Sequence, residues 1–334
     1  MKTKKTILTL SLSICLIFLL PVFISSIEKS EKDEEFANNF INKYSIYALN
    51  TPENINFCKE LTPITDIDIQ ERFDKELLSN TYFHSNTILY LKKANKWFPI
   101  ITPILEKHGI PEDFKYLAVV ESNLSNAVSP SGAAGFWQLM RTTGKSLDLE
   151  IRQEVDERYH LVKSTEAACK YLLKAYSEFN NWTLSAAAYN MGIDGLKRQL
   201  KKQQTNNYYD LYLNSETARY VFRILAVKDI LSHPNNYGFK FLEKHLYTKP
   251  KTHEITLDSS INNLAFFAKR QGINYKILKT LNPWLRKNTL TNTAKKVYEI
   301  TIPDTGYYIH STLPNTDTLN SKLKEDSTQI NIDN

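Results

Sequence analysis

The stretch that decides the fold runs from Ile110 to Leu139 and reads IPEDFKYLAVVESNLSNAVSPSGAAGFWQL. Its first half predicts a helix, because Pro111 suits a first helical turn and the two acids after it complement the positive end of the helix dipole. Four residues recur at i, i+3, i+4 and i+7 and give this helix an apolar face that ends in a carboxylate: Phe114, Leu117, Ala118 and Glu121.

The position of Glu121 has a chemical consequence. A carboxylate at the end of an apolar face is poorly solvated, which favours its protonated form and raises its pKa. Such a group can act as a general acid near neutral pH. A glutamate turned outward at a frayed helix end is the structural alternative, and the helix alone does not separate the two.

The second half of the stretch predicts one wall of a cleft. The two glycines and two alanines of Gly132–Gly135 let the backbone approach a ligand or another chain segment closely. Tight packing alone would explain them, but Glu121 and Ser122 lie ahead and Gln138 follows. A short helix is predicted from Gln138 to Gly144.

These residues resemble the signature of the Slt-type lytic transglycosylases, which are lysozyme-like enzymes that cut bacterial peptidoglycan. The resemblance covers roughly residues 97–238 and is closest to the membrane-bound lytic murein transglycosylase D type. Several motifs carry it in the family's order: Glu121-Ser122, Gly132 to Gln138, Asp156-Glu157-Arg158, Ser164 to Ala168, Ala188-Tyr189-Asn190 and Glu216 to Val221.

The resemblance implies a mainly α-helical, lysozyme-like catalytic domain. In that family a single glutamate, here Glu121, protonates the oxygen between N-acetylmuramic acid and N-acetylglucosamine. It then accepts the proton of the muramoyl C6 hydroxyl, which attacks C1 and leaves a 1,6-anhydromuramoyl end. No metal and no organic cofactor are implied, and the partner is the peptidoglycan glycan strand. Five further residues would position the sugars or the acid: Ser122, Gln138, Tyr189, Asn190 and Tyr220.

Two other functions stay open. A goose-type lysozyme-like hydrolase would deliver water and use a second acid, for which Asp156 and Glu157 are the candidates. A non-catalytic peptidoglycan-binding protein would have the same fold but would not cleave the glycan. For Asp156 we favour a helix cap or an ion pair with Arg158, because acids ahead of a helix commonly cap it.

The rest of the chain predicts helices and a small terminal module. A β-α-α-β order, with Leu281-Asn282-Pro283 after its second helix, is similar to a divergent LysM module. Asp258-Ser259 stands where that family has Gly-Asp, so glycan binding and a purely structural role both stay open. The predicted helices are Glu71–Leu78, Thr87–Trp97, Phe98–His108, Ser164–Phe179 capped by Ser164, Trp182–Met191, Asp194–Lys202, Glu216–Ser232, Ser260–Gln271 and Tyr275–Asn282, and the strands are His253–Leu257 and Val297–Ile302.

The N-terminus has the layout of a secretory signal: three lysines, an apolar run from Ile7 to Ile24, and Ser25-Ser26. We expect an exported protein in the periplasm or cell envelope, with a retained membrane anchor as the alternative. The chain carries a net charge of +6 without a clustered basic run, which argues against nucleic acid as a partner.

The two cysteines that follow the predicted signal leave their pairing open. Cys58 and Cys169 either form one disulfide or remain two thiols, and no Cys/His cluster has zinc-like spacing. We expect a monomer. The expected division is a signal peptide or anchor (1–26), a mostly helical segment (27–95), the catalytic domain (96–240), the LysM-like module (248–304) and a polar disordered tail (305–334).

Overall fold

The computed structural model describes residues 32–36, 38–39 and 46–304. The predicted signal or anchor and the predicted disordered tail therefore lie outside the described residues. The chain divides into two units between Ala48 and Leu49, and residues 32–36 and 38–39 of the first are helical. All that follows concerns the second unit. No described helix combines the length and apolar character needed to cross a membrane.

The described part of the second unit is mainly helical, as predicted. Its strands form two antiparallel pairs, β1 with β2 and β3 with β4. The helices are α1 (Ile67–Tyr82), α2 (His84–Lys107), α3 (Phe114–Ser122), α4 (Arg141–Ser146), α5 (Leu161–Phe179), α6 (Trp182–Met191), α7 (Ile193–Gln203), α8 (Ser215–Ser232), α9 (Leu264–Arg270) and α10 (Tyr275–Leu281), and the strands are β1 (Asn56–Phe57), β2 (Glu60–Leu61), β3 (Thr252–Leu257) and β4 (Tyr298–Pro303).

Helix α8 is the centre of the larger core. It is buried on nearly all of its faces, and α1, α3 and α6 pack against it. Its charged residues lie at partly exposed positions, such as Arg219 and Arg223 with 43% and 24% of the side chain exposed. The other helices therefore cover most of α8, and its buried polar groups, such as the Tyr220 hydroxyl, need partners inside the protein.

Helix α2 differs from the sequence prediction of two helices that meet at Trp97 and Phe98. The structure has one continuous helix with Pro99 and Pro103 inside it. Each proline removes one backbone hydrogen bond, which usually ends or kinks a helix. Both prolines are exposed and four residues apart, so the carbonyls that they leave unpaired lie on the solvent side. The buried side, with Ile101 and Leu105, keeps the helix on the core.

Helix α5 begins three residues before the predicted cap. His160 is the N-cap, and its ring nitrogen accepts a hydrogen bond from the Lys163 backbone N–H. Burial lowers the pKa of His160 to about 4, which keeps the ring neutral and able to accept. Ser164 instead lies inside the helix, where its hydroxyl donates to the Leu161 carbonyl.

The smaller core is built mainly from the C-terminal module, with Ala134, Val155 and Tyr159 added from the preceding part of the chain. β3 and β4 pair antiparallel with Thr252 opposite Pro303 and Leu257 opposite Tyr298, and α9 and α10 lie between them in sequence. The predicted β-α-α-β order is confirmed. The first helix is shorter than predicted, since it starts at Leu264 and is capped by the Asn263 side chain.

Candidate active site

Glu121 lies in the last turn of α3, one residue before its end. Phe114, Leu117 and Ala118 on the same face are fully buried, so the predicted apolar face is confirmed. The predicted start is wrong: the helix begins at Phe114, and the residues from 111 to 113 form a turn of i→i+3 hydrogen bonds. The acidic side chain just before the helix, Asp113, turns aside to bind Lys228 at 2.7 Å.

The chain leaves α3 abruptly after Glu121. Asn123 and Leu124 both have left-handed backbone angles, with φ of 54° and 50°. Asparagine tolerates this conformation better than most residues, while a leucine adopts it only when its surroundings enforce it. Leu124 is buried, which supplies that enforcement. The helix therefore stops at a fixed point, and the carboxyl group of Glu121 is held at its end.

Helix α2 fastens this turn. The Tyr90 hydroxyl donates to the Asn123 side-chain oxygen at 3.0 Å, and the Lys93 ammonium donates to the Asn123 carbonyl at 2.8 Å. Asn86 adds a weaker contact at 3.4 Å. Sequence reasoning missed these residues. Their spacing of i, i+4 and i+7 on a helix with a buried face was the available signal.

The carboxyl group of Glu121 has a pKa raised to about 7. Burial is the main cause, as the sequence predicted, and the nearby charge of Glu216 acts in the same direction. Two groups oppose it: the Tyr220 hydroxyl donates a hydrogen bond to Glu121 Oε1, and Arg223 contributes a positive charge. At neutral pH the group is thus populated in both protonation states.

Two tyrosines flank the acid. Tyr220 comes from the central helix α8 and is 1% exposed, so its hydroxyl has Glu121 as its partner inside the protein. Tyr189 comes from α6, and burial together with the charge of Glu121 raises its pKa well above the usual value. Its hydroxyl donates to the Trp137 carbonyl at 2.7 Å. The structure therefore brings Glu121, Tyr189 and Tyr220 together.

Asn190 joins the ends of α6 and α8. Its side-chain oxygen accepts a hydrogen bond from the Thr217 hydroxyl at 2.8 Å. Among the described residues no group accepts from its amide nitrogen. The residue is half-buried, which leaves this donor available to a ligand. A role in substrate binding stays a prediction.

Gln138 lies in a tight loop, so the predicted start of the short helix is wrong; α4 starts at Arg141. Gln138 has a left-handed φ of 45°, because the backbone reverses there to pair Ala134 with Leu139. Its amide nitrogen donates to the carbonyls of Ala127 and Gly135 at 3.0 and 2.8 Å. Its side-chain oxygen takes no hydrogen bond from the described residues.

Ser122 lies directly beside the acid, but its hydroxyl is used within the protein. It donates to the Ala118 carbonyl at 3.2 Å and accepts from the Ser125 N–H at 3.3 Å. The residue is buried. These are the contacts of a residue that ends a helix, and its role toward a substrate stays a prediction.

Arg158 clamps the loop from 132 to 139. Its guanidinium forms a two-pronged ion pair with Asp156 and donates to the carbonyls of Gly132 and Leu139 at 2.9 and 3.1 Å. Asp156 also accepts the Arg158 backbone N–H, so the predicted cap and ion pair are both confirmed. A Cβ at Gly135 would lie 1.9 Å from the Arg158 carbonyl oxygen, which explains the glycine.

Neither candidate for a second acid is free beside Glu121. Asp156 is bound by Arg158, and Glu157 is buried and pairs with Lys163 at 2.5 Å. Cys58 and Cys169 are free thiols. Among the described residues no group of three or more His, Cys, Asp or Glu side chains is arranged to hold a metal ion.

Two domain families match this chain. The transglycosylase SLT domain matches residues 99–212, and the soluble lytic transglycosylase C-terminal LysM-like domain matches residues 253–306. The helical fold with its small strand pair is therefore that of an SLT, lysozyme-like domain with a LysM-like appendage, as the sequence predicted.

Curated relatives agree with the domain assignment. Membrane-bound lytic murein transglycosylase D of Escherichia coli (strain K12) is 30% identical over 234 residues, which are 66% of this chain and 49% of the relative. Membrane-bound lytic murein transglycosylase F of Cronobacter sakazakii (strain ATCC BAA-894) is 29% identical over 142 residues, 38% of this chain and 26% of the relative. The chain thus spans about half the length of the first relative.

Among solved structures, the 70 kDa soluble lytic transglycosylase of Escherichia coli has a TM-score of 0.34 and 23% identity, over 42% of this chain and 24% of that chain. By the two domain matches and the curated relatives, the chain carries an SLT transglycosylase domain followed by a soluble-lytic-transglycosylase LysM-like domain, and it is a homologue of membrane-bound lytic murein transglycosylase D.

Proposed function

We propose that the chain is a lytic transglycosylase that cleaves the β-1,4 bond between N-acetylmuramic acid and N-acetylglucosamine in peptidoglycan, with 1,6-anhydromuramoyl ends as products. The observation that carries this proposal is the Glu121 carboxyl group. It combines a pKa of about 7, a fixed position at the end of α3 and a hydrogen bond from a buried tyrosine. A general acid works best when its pKa lies near the operating pH.

A single group with these properties suits both halves of the reaction. Protonated Glu121 donates to the glycosidic oxygen as the bond to C1 breaks. The carboxylate that results then removes the proton from the muramoyl C6 hydroxyl as that oxygen bonds to C1. The nucleophile is part of the substrate, so the attack is intramolecular and gains from proximity. The Tyr220 hydroxyl donates to the carboxylate and so stabilises it between the two steps.

The contacts of the other residues support roles in positioning. Tyr189 ties α6 to the loop at Trp137, and Asn190 and Gln138 each keep one amide atom free of described partners. Amide groups of this kind can hydrogen bond to sugar hydroxyls or N-acetyl groups. In the proposal Asn190 and Gln138 contact the glycan, and Tyr189 and Tyr220 orient the acid.

Hydrolysis by a lysozyme-like route has less support. A hydrolase with two carboxylates needs the second one free to bind or activate water. Asp156 and Glu157, the two candidates from the sequence, are both held in ion pairs. Export and attachment to a membrane belong to the proposal as well, since the residues that suggest them are outside the described range.

The test is mass spectrometry of purified peptidoglycan after digestion with the protein, beside a Glu121→Gln variant. We expect anhydromuramoyl products from the unaltered protein and none from the variant. Reducing muramic ends would identify a hydrolase instead. A protein that yields no products but sediments with the wall would be a binding module.

A further inference from the structure

The LysM-like module shares a hydrophobic core with the catalytic domain. Val155 and Tyr159 from the segment before α5 are buried together with module residues such as Leu285. The backbones also join, because Val155 and Leu285 form an antiparallel bridge and the Asp156 N–H donates to the Trp284 carbonyl at 2.9 Å. A buried core with paired backbone is typical of one folded body rather than of a tethered accessory domain.

Polar contacts surround this shared core. Glu154 accepts hydrogen bonds from the Thr289 hydroxyl at 2.5 Å and from the Thr291 N–H at 3.0 Å. These bonds hold the pKa of Glu154 low, at about 2. Glu150 pairs with Lys296 at 2.6 Å and accepts from the Tyr298 hydroxyl. Charge-assisted bonds of this kind fix orientation as well as contact.

The same segment holds the loop that forms the candidate cleft wall. Asp156 positions Arg158, and Arg158 donates to the carbonyls of Gly132 and Leu139 at the two ends of that loop. Ala134, in the middle of the loop, is buried in the core that contains the module residues. The loop therefore contacts the module-bound segment at its ends and in its middle.

The loop in turn reaches the acid. The Trp137 carbonyl accepts the hydroxyl of Tyr189, and the charge of Glu121 acts directly on Tyr189. A continuous set of packed and hydrogen-bonded groups thus runs from the module to Tyr189, which lies close enough to Glu121 to be affected by its charge. Rigid contacts of this kind transmit a displacement, because a close-packed interior cannot deform at one point alone.

We propose that the LysM-like module is a fixed support of the cleft wall and sets the rate of glycan cleavage through the positioning residues Asp156 and Arg158. This inference rests on the proposed function. It gives the module a role in turnover that does not require it to bind glycan. A module that only tethers the enzyme to the wall would affect binding to intact peptidoglycan and leave the turnover of a short fragment unchanged.

The first experiment separates these roles with one pair of variants. Val155→Asp places a carboxylate in the shared core, and Val162→Asp makes the same change at a position on α5 that is 40% exposed. Turnover of a short soluble glycan fragment and co-sedimentation with intact wall are measured for both. We expect Val155→Asp to lower kcat roughly 10- to 100-fold with a smaller change in KM, since small misplacements of a site cost this much.

A set of controls keeps the result interpretable. Val162→Asp should match the unaltered protein. The conservative variant Val155→Ile keeps the position apolar and should retain most of the kcat of the unaltered protein. Melting curves at the assay pH identify the fraction of each variant that is folded. Equal kcat for folded Val155→Asp and the unaltered protein would overturn the inference. Absence of turnover by the unaltered protein would instead overturn the proposed function.

A milder second experiment covers the case in which Val155→Asp does not fold. Glu154→Leu removes the acceptor and Thr289→Val the donor of one interface hydrogen bond, one from each side. If docking sets the rate, each should lower kcat severalfold, and the double variant should fall less than the product of the two, because both act through one contact. Unchanged kcat in all three variants would overturn the inference.

Discussion

The pKa of the Glu121 carboxyl group is set by two opposing effects. Burial favours the neutral form, whereas the Tyr220 hydrogen bond and Arg223 favour the charged form. The first influence is larger, so the pKa is raised to about 7 rather than lowered. The Tyr220 hydroxyl, which lowers this pKa, can be removed without changing the shape of the core.

Tyr220→Phe removes that hydroxyl and keeps the buried ring. Because the lost hydrogen bond favoured the carboxylate, the pKa of Glu121 should rise further. We expect the fall of kcat/KM at alkaline pH to move upward by roughly 0.5–1 pH unit, which corresponds to one hydrogen bond of about 1 kcal/mol. A pH profile of the two proteins checks this. An unchanged or lower midpoint would show that Tyr220 does not act on the acid.

Glu121 should also affect stability in a pH-dependent way. Its folded pKa of about 7 lies above the ordinary value of 4.5, so the folded state binds the proton more tightly than the unfolded state. The resulting stabilisation is complete below about pH 4.5 and is lost as the pH rises through about 7.

Glu121→Gln removes this dependence. At about pH 9 the variant should exceed the unaltered protein in free energy of unfolding by about 1–3 kcal/mol, because it no longer holds a desolvated charge. Near pH 4.5 the two should be equal. Urea unfolding at both pH values provides the measurement. A variant that is less stable at alkaline pH would mean that Glu121 is solvated after all.

At the scale of elements, the periodic apolar patterns were sufficient to predict the helices whose buried face is regular. The element from Trp182 to Met191 has the predicted bounds, and helix α8 begins within one residue of its prediction. Apolar periodicity determines such helices because burial of one face dominates their stability.

Other elements depend on contacts that are distant in sequence. The sequence predicted two helices that meet at Trp97 and Phe98, but packing of the buried face kept α2 continuous. Gln138 was expected in a helix, and the pairing of Ala134 with Leu139 gives it a left-handed backbone instead. For the site, the helix face predicted desolvation of Glu121 but left a glutamate turned outward as the alternative. The clamp by Arg158 was not predicted, because it joins residues 19 and 26 positions apart.

The loop from 132 to 139 offers a matched pair of glycines. Gly132 and Gly135 both have left-handed φ, at 85° and 83°. A Cβ at Gly132 meets no atom within 4 Å, whereas at Gly135 it meets the Arg158 carbonyl oxygen at 1.9 Å. Backbone strain is therefore common to both positions, and only Gly135 adds a steric clash.

We expect Gly132→Ala to lower the free energy of unfolding by about 1–2 kcal/mol, the usual cost of a left-handed alanine. Gly135→Ala should cost roughly 1–3 kcal/mol more, because the backbone of Arg158 must move. Chemical denaturation of the two variants tests the difference. Equal losses would mean that the loop and Arg158 are not packed as closely as the structure has them.

At the scale of the whole second unit, helix α1 from the segment before residue 96 does more than bury the apolar core: it also positions charged groups on α8. Glu76 of α1 is 1% exposed, and its carboxylate binds Arg219 and lies 3.7 Å from Arg223, both on α8. Tyr220, the partner of Glu121, lies between these arginines in sequence. A buried charge is retained only where partners offset its desolvation, so α1 fixes the part of α8 that faces the acid.

Glu76→Gln tests this arrangement. The amide keeps the shape of the side chain but loses the charge that pairs two arginines, so we expect the free energy of unfolding to fall by about 1–3 kcal/mol. The matched control is Glu71→Gln on the exposed side of the same helix, which should stay within about 0.5 kcal/mol of the unaltered protein. Thermal and urea unfolding give both values. Similar results for the two variants would mean that α1 is held by its apolar face alone and that the arginines on α8 take their orientation from elsewhere.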